Sequence, residues 1–286
     1  MNPEQLKQIN QRLVTRNRKI TIIGGMGRMG NLFRQQLSAA GHYVSVLEQK
    51  DWVYADHLLN QADLVLVSVP IEKTVAVIKR AAEYLSPNTA LCDVTSVKTQ
   101  ASQAMLTYHC GPVMGLHPMF GPNVNSFRGQ KVVVCPGRND DAFQWLLDLI
   151  TKQGGELITS TPEEHDKMMV IVQATQHFSR FSLGVFLSAV QVDIESSLSM
   201  STPSYRQEIE ILKRLFAQNP NLCIDIILAT EERCQAINYL ADTYSRLARL
   251  VRKKDRAALL QEFETAQEFM GLQNNSSLVC LSETGY

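Results

Sequence analysis

The sequence predicts an α/β protein in which a doubly wound parallel sheet is followed by an all-helical C-terminal region. Up to about residue 160, short apolar segments alternate with helical patterns, as is typical of parallel sheets built from βαβ units. After residue 160 there is no convincing strand, and helical patterns continue to about residue 272. We therefore expect a lead-in over residues 1–18, a first domain over 19–160 and a helical second domain over 161–286.

The first predicted strand, 19–23, runs into a glycine-rich turn, and a helical pattern begins at about residue 31. Gly25 permits a tight turn, Gly27 lets the backbone approach a pyrophosphate, and Gly30 lets the helix pack closely on its strand. The arrangement is that of a Rossmann-type dinucleotide site, with the phosphates at the N-terminus of the helix. A plain glycine turn is the alternative. The predicted cofactor contacts in this turn are Gly25, Met26, Gly27, Arg28, Met29 and Gly30.

The second predicted strand, 43–48, ends on Glu48, 18 residues after Gly30. A carboxylate there accepts hydrogen bonds from the adenosine ribose hydroxyls and repels a 2′-phosphate. Gln49 follows it, and no arginine comes at once to receive that phosphate. NAD is therefore favoured over NADP, and the alternative is an acid that merely ends an edge strand.

Further strands are predicted over 62–69, 90–94, 112–116, 131–135 and 156–159, with helices over 51–60, 72–84, 98–108 and 140–153. Ser68, Val69 and Pro70 close the third strand, so we expect them at the cofactor edge of the sheet.

Four helices are predicted in the second region, over 162–192, 203–218, 222–248 and 253–272. The first begins with a capping box over Thr161–Glu164 that has proline at the first helical position. Because this helix is too apolar to stand alone, we expect a homodimer.

Composition excludes several classes of protein. The 28 basic residues balance the 28 acidic residues, so there is no electrostatic footprint for nucleic acid or an anionic membrane. The N-terminus lacks a signal-peptide core, and polar residues interrupt the apolar stretch 168–192. The six cysteines show no C-x-x-C and no metal spacing, so we expect a cytoplasmic protein with reduced thiols and no metal site.

His117 follows strand 112–116 in a loop that contains two prolines and two glycines. With an ordinary pKa of about 6.5, an imidazole is largely neutral at pH 7 and can accept a hydroxyl proton as hydride leaves the same carbon. Ser96 and Lys98 follow the neighbouring strand and could orient the ring or bind a carboxylate. The alternatives are a loop histidine bonded to backbone and an exposed lysine.

The helical region should supply substrate anchors. Gln173 and His177 are four residues apart and share one helix face. Arg214 and Gln218 share a partly apolar stripe on the helix that ends before Asn219. A guanidinium there can bind a carboxylate bidentately or merely snorkel to solvent.

Three segments carry a family resemblance: Asp93-Val-Thr-Ser-Val-Lys98, Gly-Leu-His-Pro-Met-Phe-Gly-Pro over 115–122, and Lys213-Arg-Leu-Phe-Ala-Gln-Asn-Pro220. Together they resemble prephenate dehydrogenases, most closely the dehydrogenase half of the bifunctional chorismate mutase–prephenate dehydrogenases of tyrosine biosynthesis. The resemblance extends over about residues 19–275. Only residues 1–18 precede the first strand, so we expect no mutase activity.

The resemblance implies NAD-dependent oxidative decarboxylation of prephenate to 4-hydroxyphenylpyruvate, with L-tyrosine as a possible feedback inhibitor. By this resemblance His117 accepts a hydrogen bond from the C4 hydroxyl of prephenate, Ser96 hydrogen-bonds His117, and Arg214 binds a carboxylate. His177 matches a pocket position that affects tyrosine inhibition, and Lys98 and Gln218 match other pocket positions.

Three other functions remain open. An arogenate dehydrogenase has the same chemistry on a substrate with an amino group in place of the side-chain keto group. A β-hydroxyacid dehydrogenase also joins a nucleotide domain to helices, but it relies on a catalytic lysine in the helical part, for which no clear candidate is present. A non-catalytic NAD-sensing module would bind NAD without turnover.

Overall fold

The computed structural model describes residues 16–121 and 124–271, so most of the expected lead-in lies outside the described residues. Seven strands form one sheet in the order β2-β1-β3-β4-β5-β6-β7. The strands are β1 Lys19–Ile23, β2 Tyr43–Leu47, β3 Leu64–Val67, β4 Ala90–Asp93, β5 Val113–Pro118, β6 Lys131–Arg138 and β7 Glu156–Thr159. All seven predicted strands are present, and the Rossmann-like class is confirmed.

The sheet is mixed, which corrects the prediction of a wholly parallel sheet. β5 and β6 pair antiparallel, whereas every other neighbouring pair is parallel. A parallel return needs a long crossover, usually a helix. The described residues between Pro118 and Lys131 contain no helix, so the chain returns directly alongside β5.

The helices flank and follow the sheet. They are α1 Arg28–Ala39, α2 Ala55–Leu59, α3 Ile71–Ala82, α4 Thr99–Tyr108, α5 Gln144–Lys152, α6 Pro162–Met169, α7 Gln176–Ala189, α8 Ile194–Ser199, α9 Pro203–Phe216, α10 Pro220–Leu228, α11 Glu231–Lys253 and α12 Arg256–Phe269. Two 3-10 helices, Gln49–Tyr54 and Asp140–Phe143, precede α2 and α5.

The central strands are buried on both faces, as their continuous apolar sequence predicts. Leu64 and Leu66 of β3 enter one hydrophobic cluster, and Val65 and Val67 enter a second cluster. Because successive side chains of a strand point to opposite faces, the two clusters are the cores that hold helices on the two faces of the sheet.

Two long predicted helices are interrupted. A π-helical segment, Val170–Thr175, separates α6 from α7, whereas one helix was expected over 162–192. The helix expected over 222–248 is also two helices, because the hydroxyl of Thr230 accepts a hydrogen bond from the backbone N–H of Arg233 (3.3 Å) and begins a new helix there. The predicted capping box is confirmed, since Thr161 Oγ1 accepts from Glu164 N at 3.1 Å.

The described part of the chain forms two compact units, one up to Arg233 and the other from Cys234 onward. The sheet and all predicted site residues belong to the first unit. In the described part of the second unit, Asp255 caps the N-terminus of α12, and its carboxylate accepts a hydrogen bond from the backbone N–H of Ala258 at 3.1 Å. None of the helices within the described ranges is long and apolar enough to cross a membrane.

The turn after β1 depends on two glycines for different reasons. Gly24 adopts φ +81°, and a Cβ there would lie 2.2 Å from the backbone oxygen of Ser68. The left-handed backbone of the turn is therefore at Gly24, and a Cβ on Gly25 would lie 2.7 Å from Cγ2 of Val46. A Cβ on Gly30 would lie 2.4 Å from the backbone oxygen of Gly24 and 2.8 Å from Cα of Gly25, so Gly30 sets how closely α1 approaches the turn.

Replacing Gly30 with alanine should destabilise the protein by about 1–3 kcal/mol, because the added methyl meets backbone atoms that cannot rotate away. Urea unfolding measures the free energy of unfolding. Gly121→Ala is the matched control, since a Cβ at Gly121 meets no atom of the described residues within 4 Å. Equal stability of the two variants would contradict the close approach of α1.

Candidate functional site

The N-terminus of α1 is open to an anion. α1 begins at Arg28, and Gly27, which has no side chain to cap the helix, precedes it in an extended conformation. The first turn contains no acidic residue, and the first N–H groups of a helix have no partner within the helix. These N–H groups and the positive end of the helix dipole suit the pyrophosphate of a dinucleotide.

The predicted acidic residue faces the glycine turn. Glu48 Oε1 accepts a hydrogen bond from the backbone N–H of Met26 at 2.8 Å. The backbone N–H of Glu48 in turn donates to the carboxylate of Asp51 at 3.1 Å, which fixes the end of β2. The carboxylate therefore lies beside the turn, where an adenosine ribose would approach.

Ser68 and Val69 lie against the same turn, and Pro70 is the next residue in the chain. They follow β3, and the ideal Cβ position of Gly24 is within 3.1 Å of both Ser68 and Val69. β1 and β3 are neighbours in the sheet, while the chain between them passes through β2 on the far side. Such a reversal of strand order opens the crevice in which doubly wound sheets bind ligands. The cofactor segments predicted from sequence are thus brought together, and they fit a dinucleotide.

His117 lies near the end of β5 and is 3% exposed. Its Nδ1 is 2.7 Å from Nε2 of His165, so it is not a loop histidine bonded to backbone. Burial, followed by the neighbouring His165, Lys98 and Arg233, holds the pKa of His117 well below its ordinary value of 6.5. The ring is therefore neutral at pH 7, as a proton acceptor requires.

His165 and Asp166 extend this hydrogen-bonded chain, and the sequence analysis did not identify either residue. His165 Nδ1 is 2.8 Å from Asp166 Oδ1. Asp166 also accepts the backbone N–H groups of Lys98 and Thr99, both at 2.8 Å. The one available signal was the capping box at Thr161, which predicts a helix start and so places both residues in its first turns.

Lys98 is fully buried, in contrast to the exposed position expected of a lone lysine. Its ammonium donates to the carboxylate of Asp93, and to the carbonyl oxygen of Leu116 at 2.7 Å. Burial raises the pKa of the Asp93 carboxyl, although the ammonium beside it favours the ionised form. Lys98 thus joins the end of β4 to the residue that precedes His117.

Ser96 does not hydrogen-bond His117 within the part of the chain that the structure describes, contrary to the expectation from the resemblance. Its carbonyl oxygen instead accepts from the guanidinium of Arg233 at 2.9 Å. Arg233 is 1% exposed, and it also donates to the carbonyl oxygen of Ile226 at 2.8 Å. No sequence pattern had distinguished this arginine from its charged neighbours.

His177 and Arg214 lie on two helices, α7 and α9, that pack through Phe181 and Phe216, with ring centroids 6.2 Å apart. His177 is half-buried, its Nδ1 is 2.8 Å from the carbonyl oxygen of Gln173, and burial lowers its pKa. The charge of Arg233 contributes to lowering the pKa of both His117 and His177.

Arg214 is exposed, and its Nε donates to the carbonyl oxygen of Glu210 at 3.3 Å. Its guanidinium has no ion pair among the described residues. Gln218, just beyond α9, is half-buried. No described contact joins Arg214 or Gln218 to His117. Within the described ranges, no three His, Cys, Asp or Glu side chains are grouped to hold a metal ion.

Comparison with known proteins agrees with a dinucleotide crevice in the first part of the chain. Residues 45–159 match the model of the prephenate dehydrogenase nucleotide-binding domain, and residues 161–265 match that of the prephenate dehydrogenase dimerization domain. The chain belongs to the prephenate dehydrogenase family.

Curated relatives agree. The T-protein of Haemophilus influenzae is 39% identical over 253 residues, covering 88% of this chain and 67% of the relative. The T-protein of Enterobacter agglomerans is 39% identical over 254 residues, covering 89% of this chain and 68% of the relative. A probable arogenate/prephenate dehydrogenase of Methanocaldococcus jannaschii is 31% identical over 274 residues, covering 89% of this chain and 61% of the relative.

Solved structures share the fold. Prephenate dehydrogenase from Aquifex aeolicus, in complex with hydroxyphenyl propionate and NAD+, superimposes with a TM-score of 0.66 at 19% identity. The match covers 90% of this chain and 99% of that chain. Arogenate dehydrogenase from Synechocystis has a TM-score of 0.61 at 17% identity, covering 88% of this chain and 98% of that chain.

Replacing Lys98 with methionine should lower the free energy of unfolding by about 3–5 kcal/mol, because the carboxylate of Asp93 would remain buried without its partner. Lys131→Met is the control: it removes an exposed ion pair with Glu156, which contributes at most about 1 kcal/mol. Urea unfolding of both variants gives the comparison. If Lys98→Met is as stable as Lys131→Met and only binds substrate more weakly, Lys98 belongs in the substrate pocket instead.

Proposed function

We propose that this chain is an NAD-dependent prephenate dehydrogenase, which converts prephenate to 4-hydroxyphenylpyruvate by oxidative decarboxylation. The observation that carries this proposal is the buried, neutral His117 at the edge of the sheet where the dinucleotide crevice opens. The match to both domains of the prephenate dehydrogenase family supports the choice of substrate.

Prephenate is a dicarboxylate with a hydroxyl group on C4 of a cyclohexadiene ring. The reaction needs a proton acceptor at that hydroxyl, a cation for a carboxylate, and an oriented nicotinamide. Bound NAD supplies the hydride acceptor. His117 Nε2 takes the hydroxyl proton, and C4 becomes a carbonyl carbon as the C4–H bond breaks. The bond from the ring to its carboxylate then breaks to release CO2, and its electron pair passes through the ring to the C4 oxygen, which takes a proton to give the phenol of the aromatic product.

The chain holds NAD at the glycine turn. The N–H groups at the start of α1 bind the pyrophosphate, and Glu48 binds the adenosine ribose and repels a 2′-phosphate. The carboxylate is already held beside the turn through Met26, so little rearrangement is needed to receive the ribose. This arrangement favours NAD over NADP.

We assign the remaining substrate contacts to the helical region. The guanidinium of Arg214 binds a carboxylate of prephenate, and His177 and Gln218 line the pocket. L-Tyrosine resembles the product, so His177 would also be a contact for feedback inhibition. Because Lys98 is enclosed and engaged with Asp93 and Leu116, we assign it to the framework of the site and Ser96 to the pocket wall.

A homodimer formed through the helical region is part of this proposal. The prediction rested on the apolar character of the helix expected over 162–192. In the single chain Val185, Phe186 and Val190, on α7 and just after it, are 50%, 58% and 52% exposed. Apolar surface of this kind is covered in an assembly, and the helical region matches a dimerization domain. We place the enzyme in the cytoplasm.

Arogenate is the alternative substrate, because one relative is named for both activities. The two substrates differ only in their side chains, so relative turnover on prephenate and arogenate distinguishes them. A non-catalytic NAD-sensing module would instead bind NAD and oxidise neither.

With prephenate and NAD, the wild-type enzyme should produce NADH, and His117→Asn should lower kcat by about 10²–10⁴-fold because the proton acceptor is lost. The increase in NADH absorbance measures turnover, and calorimetry should show that the variant still binds prephenate. His57→Asn, at an exposed histidine in α2, is the control. Unchanged turnover in His117→Asn would remove His117 from the mechanism.

Arg214→Ala should weaken prephenate binding by about 10- to 100-fold, the contribution of a charge-assisted hydrogen bond, and leave NAD affinity intact. Lys213→Ala, which removes the adjacent exposed cation paired with Glu210, should change neither affinity. Calorimetric titration of each ligand measures both. Equal loss of NAD and prephenate binding in Arg214→Ala would contradict a substrate-specific contact.

A further inference from the structure

His117 begins a chain of hydrogen bonds that leads away from the strand end. Nδ1 of His117 contacts Nε2 of His165, and Nδ1 of His165 contacts the carboxylate of Asp166. Both histidines are buried, at 3% and 2% exposure. Nε2 of His117 makes no hydrogen bond with any described residue. It is also not one of the fully enclosed polar atoms that have no partner, so it is accessible from outside. It is therefore the nitrogen open to a ligand.

The positions of the protons follow from the acid end of the chain. An ionised carboxylate only accepts hydrogen bonds, so Nδ1 of His165 must carry a hydrogen. In a neutral His165 ring, Nε2 is then an acceptor, and Nδ1 of His117 must donate to it. That leaves Nε2 of His117 with its lone pair free.

Asp166 is suited to anchor this chain. Burial alone would raise the pKa of its carboxyl, but the hydrogen bonds from His165 and from the backbone N–H groups of Lys98 and Thr99 lower it to about 2. The two backbone donors belong to the N-terminus of α4, which stabilises a negative charge. Asp166 is therefore ionised throughout the pH range in which the enzyme would work.

We propose that His165 and Asp166 are positioning residues that hold His117 as the Nδ1–H tautomer, with the lone pair of Nε2 directed at the substrate hydroxyl. This assignment rests on the proposed role of His117 as the proton acceptor. Neither residue touches the substrate. Both act through the imidazole, as an orienting carboxylate does in a catalytic triad.

The same chain stabilises the product of proton transfer. After Nε2 of His117 accepts the hydroxyl proton, the ring is a cation whose Nδ1–H still donates to His165. That hydrogen bond becomes charge-assisted and stronger, and the carboxylate of Asp166 lies beyond the second ring. These hydrogen bonds therefore stabilise the imidazolium of His117 that forms when the substrate gives up its hydroxyl proton.

Two substitutions of His165 separate positioning from packing. Glutamine can accept from Nδ1–H of His117 through its carbonyl and donate to Asp166 through its amide, whereas phenylalanine can do neither. We expect His165→Phe to lower kcat by about 10- to 10³-fold, part of the contribution of a positioned base, with the KM for prephenate and the affinity for NAD unchanged. His165→Gln should recover most of the lost kcat. Equal kcat in the two variants, with comparable thermal stability, would show that His165 only fills space.

Nitrogen-15 NMR of the unliganded wild-type protein, labelled at histidine, tests the tautomer without any turnover. We expect a protonated Nδ1 and a bare Nε2 on both His117 and His165, and loss of this fixed tautomer of His117 in Asp166→Asn. A wild-type His117 protonated on Nε2, or a doubly protonated His165, would overturn the proposal. If the tautomers are as expected but the enzyme does not oxidise prephenate, the proposed substrate fails and the positioning role stands.

Discussion

The buried ion pair between Lys98 and Asp93 is the interaction on which the geometry of the site depends. The ammonium joins the end of β4 to the carbonyl oxygen of Leu116, the residue before His117. The backbone N–H of the same lysine holds Asp166, and Asp166 orients His165. One residue thus fixes the strand end from which the imidazole projects and the carboxylate that orients it.

A buried charge pair contributes little net stability, because removing both groups from water offsets most of their attraction. Its value here is geometric. A neutral pair could rotate or slide at little cost. Separating Lys98 from Asp93 would leave a buried charge unpaired, so other arrangements of the two strand ends are strongly unfavourable. The ordering of two adjacent strand ends is what brings His117 and the dinucleotide crevice to one edge of the sheet.

Most of the sheet could be predicted from the sequence because buried parallel strands are continuous apolar runs, and Leu64–Val67 is of this kind. The direction of β6 could not be predicted, because its own sequence is equally compatible with parallel and antiparallel pairing to β5. The breaks at Val170–Thr175 and after Leu228 were also missed, since helical periodicity does not reveal a π turn or an internal cap such as Thr230.

The cofactor edge was predictable from sequence because its parts are local: a turn, a helix start and an acid at the next strand end. The surroundings of His117 were not, because His165 is 48 residues away in sequence and reaches the site only through tertiary packing. Arg233, which is 137 residues from Ser96, is a similar case. The family resemblance identified Lys98 as a site residue, but the sequence could not show that its ammonium is enclosed.

The position of α6, directly after the last strand of the sheet, limits how the enzyme can admit and release small molecules. Three hydrogen bonds tie its first turns to β5 and to the start of α4: those from Lys98 and Thr99 to Asp166, and that between His117 and His165. The two bonds to the carboxylate of Asp166 contribute about 1.5–3 kcal/mol each, so swinging α6 outward would cost several kcal/mol and separate His165 from His117. These bonds hold α6 against the sheet, so we expect any hinge between the sheet and the following helices to lie beyond Met169.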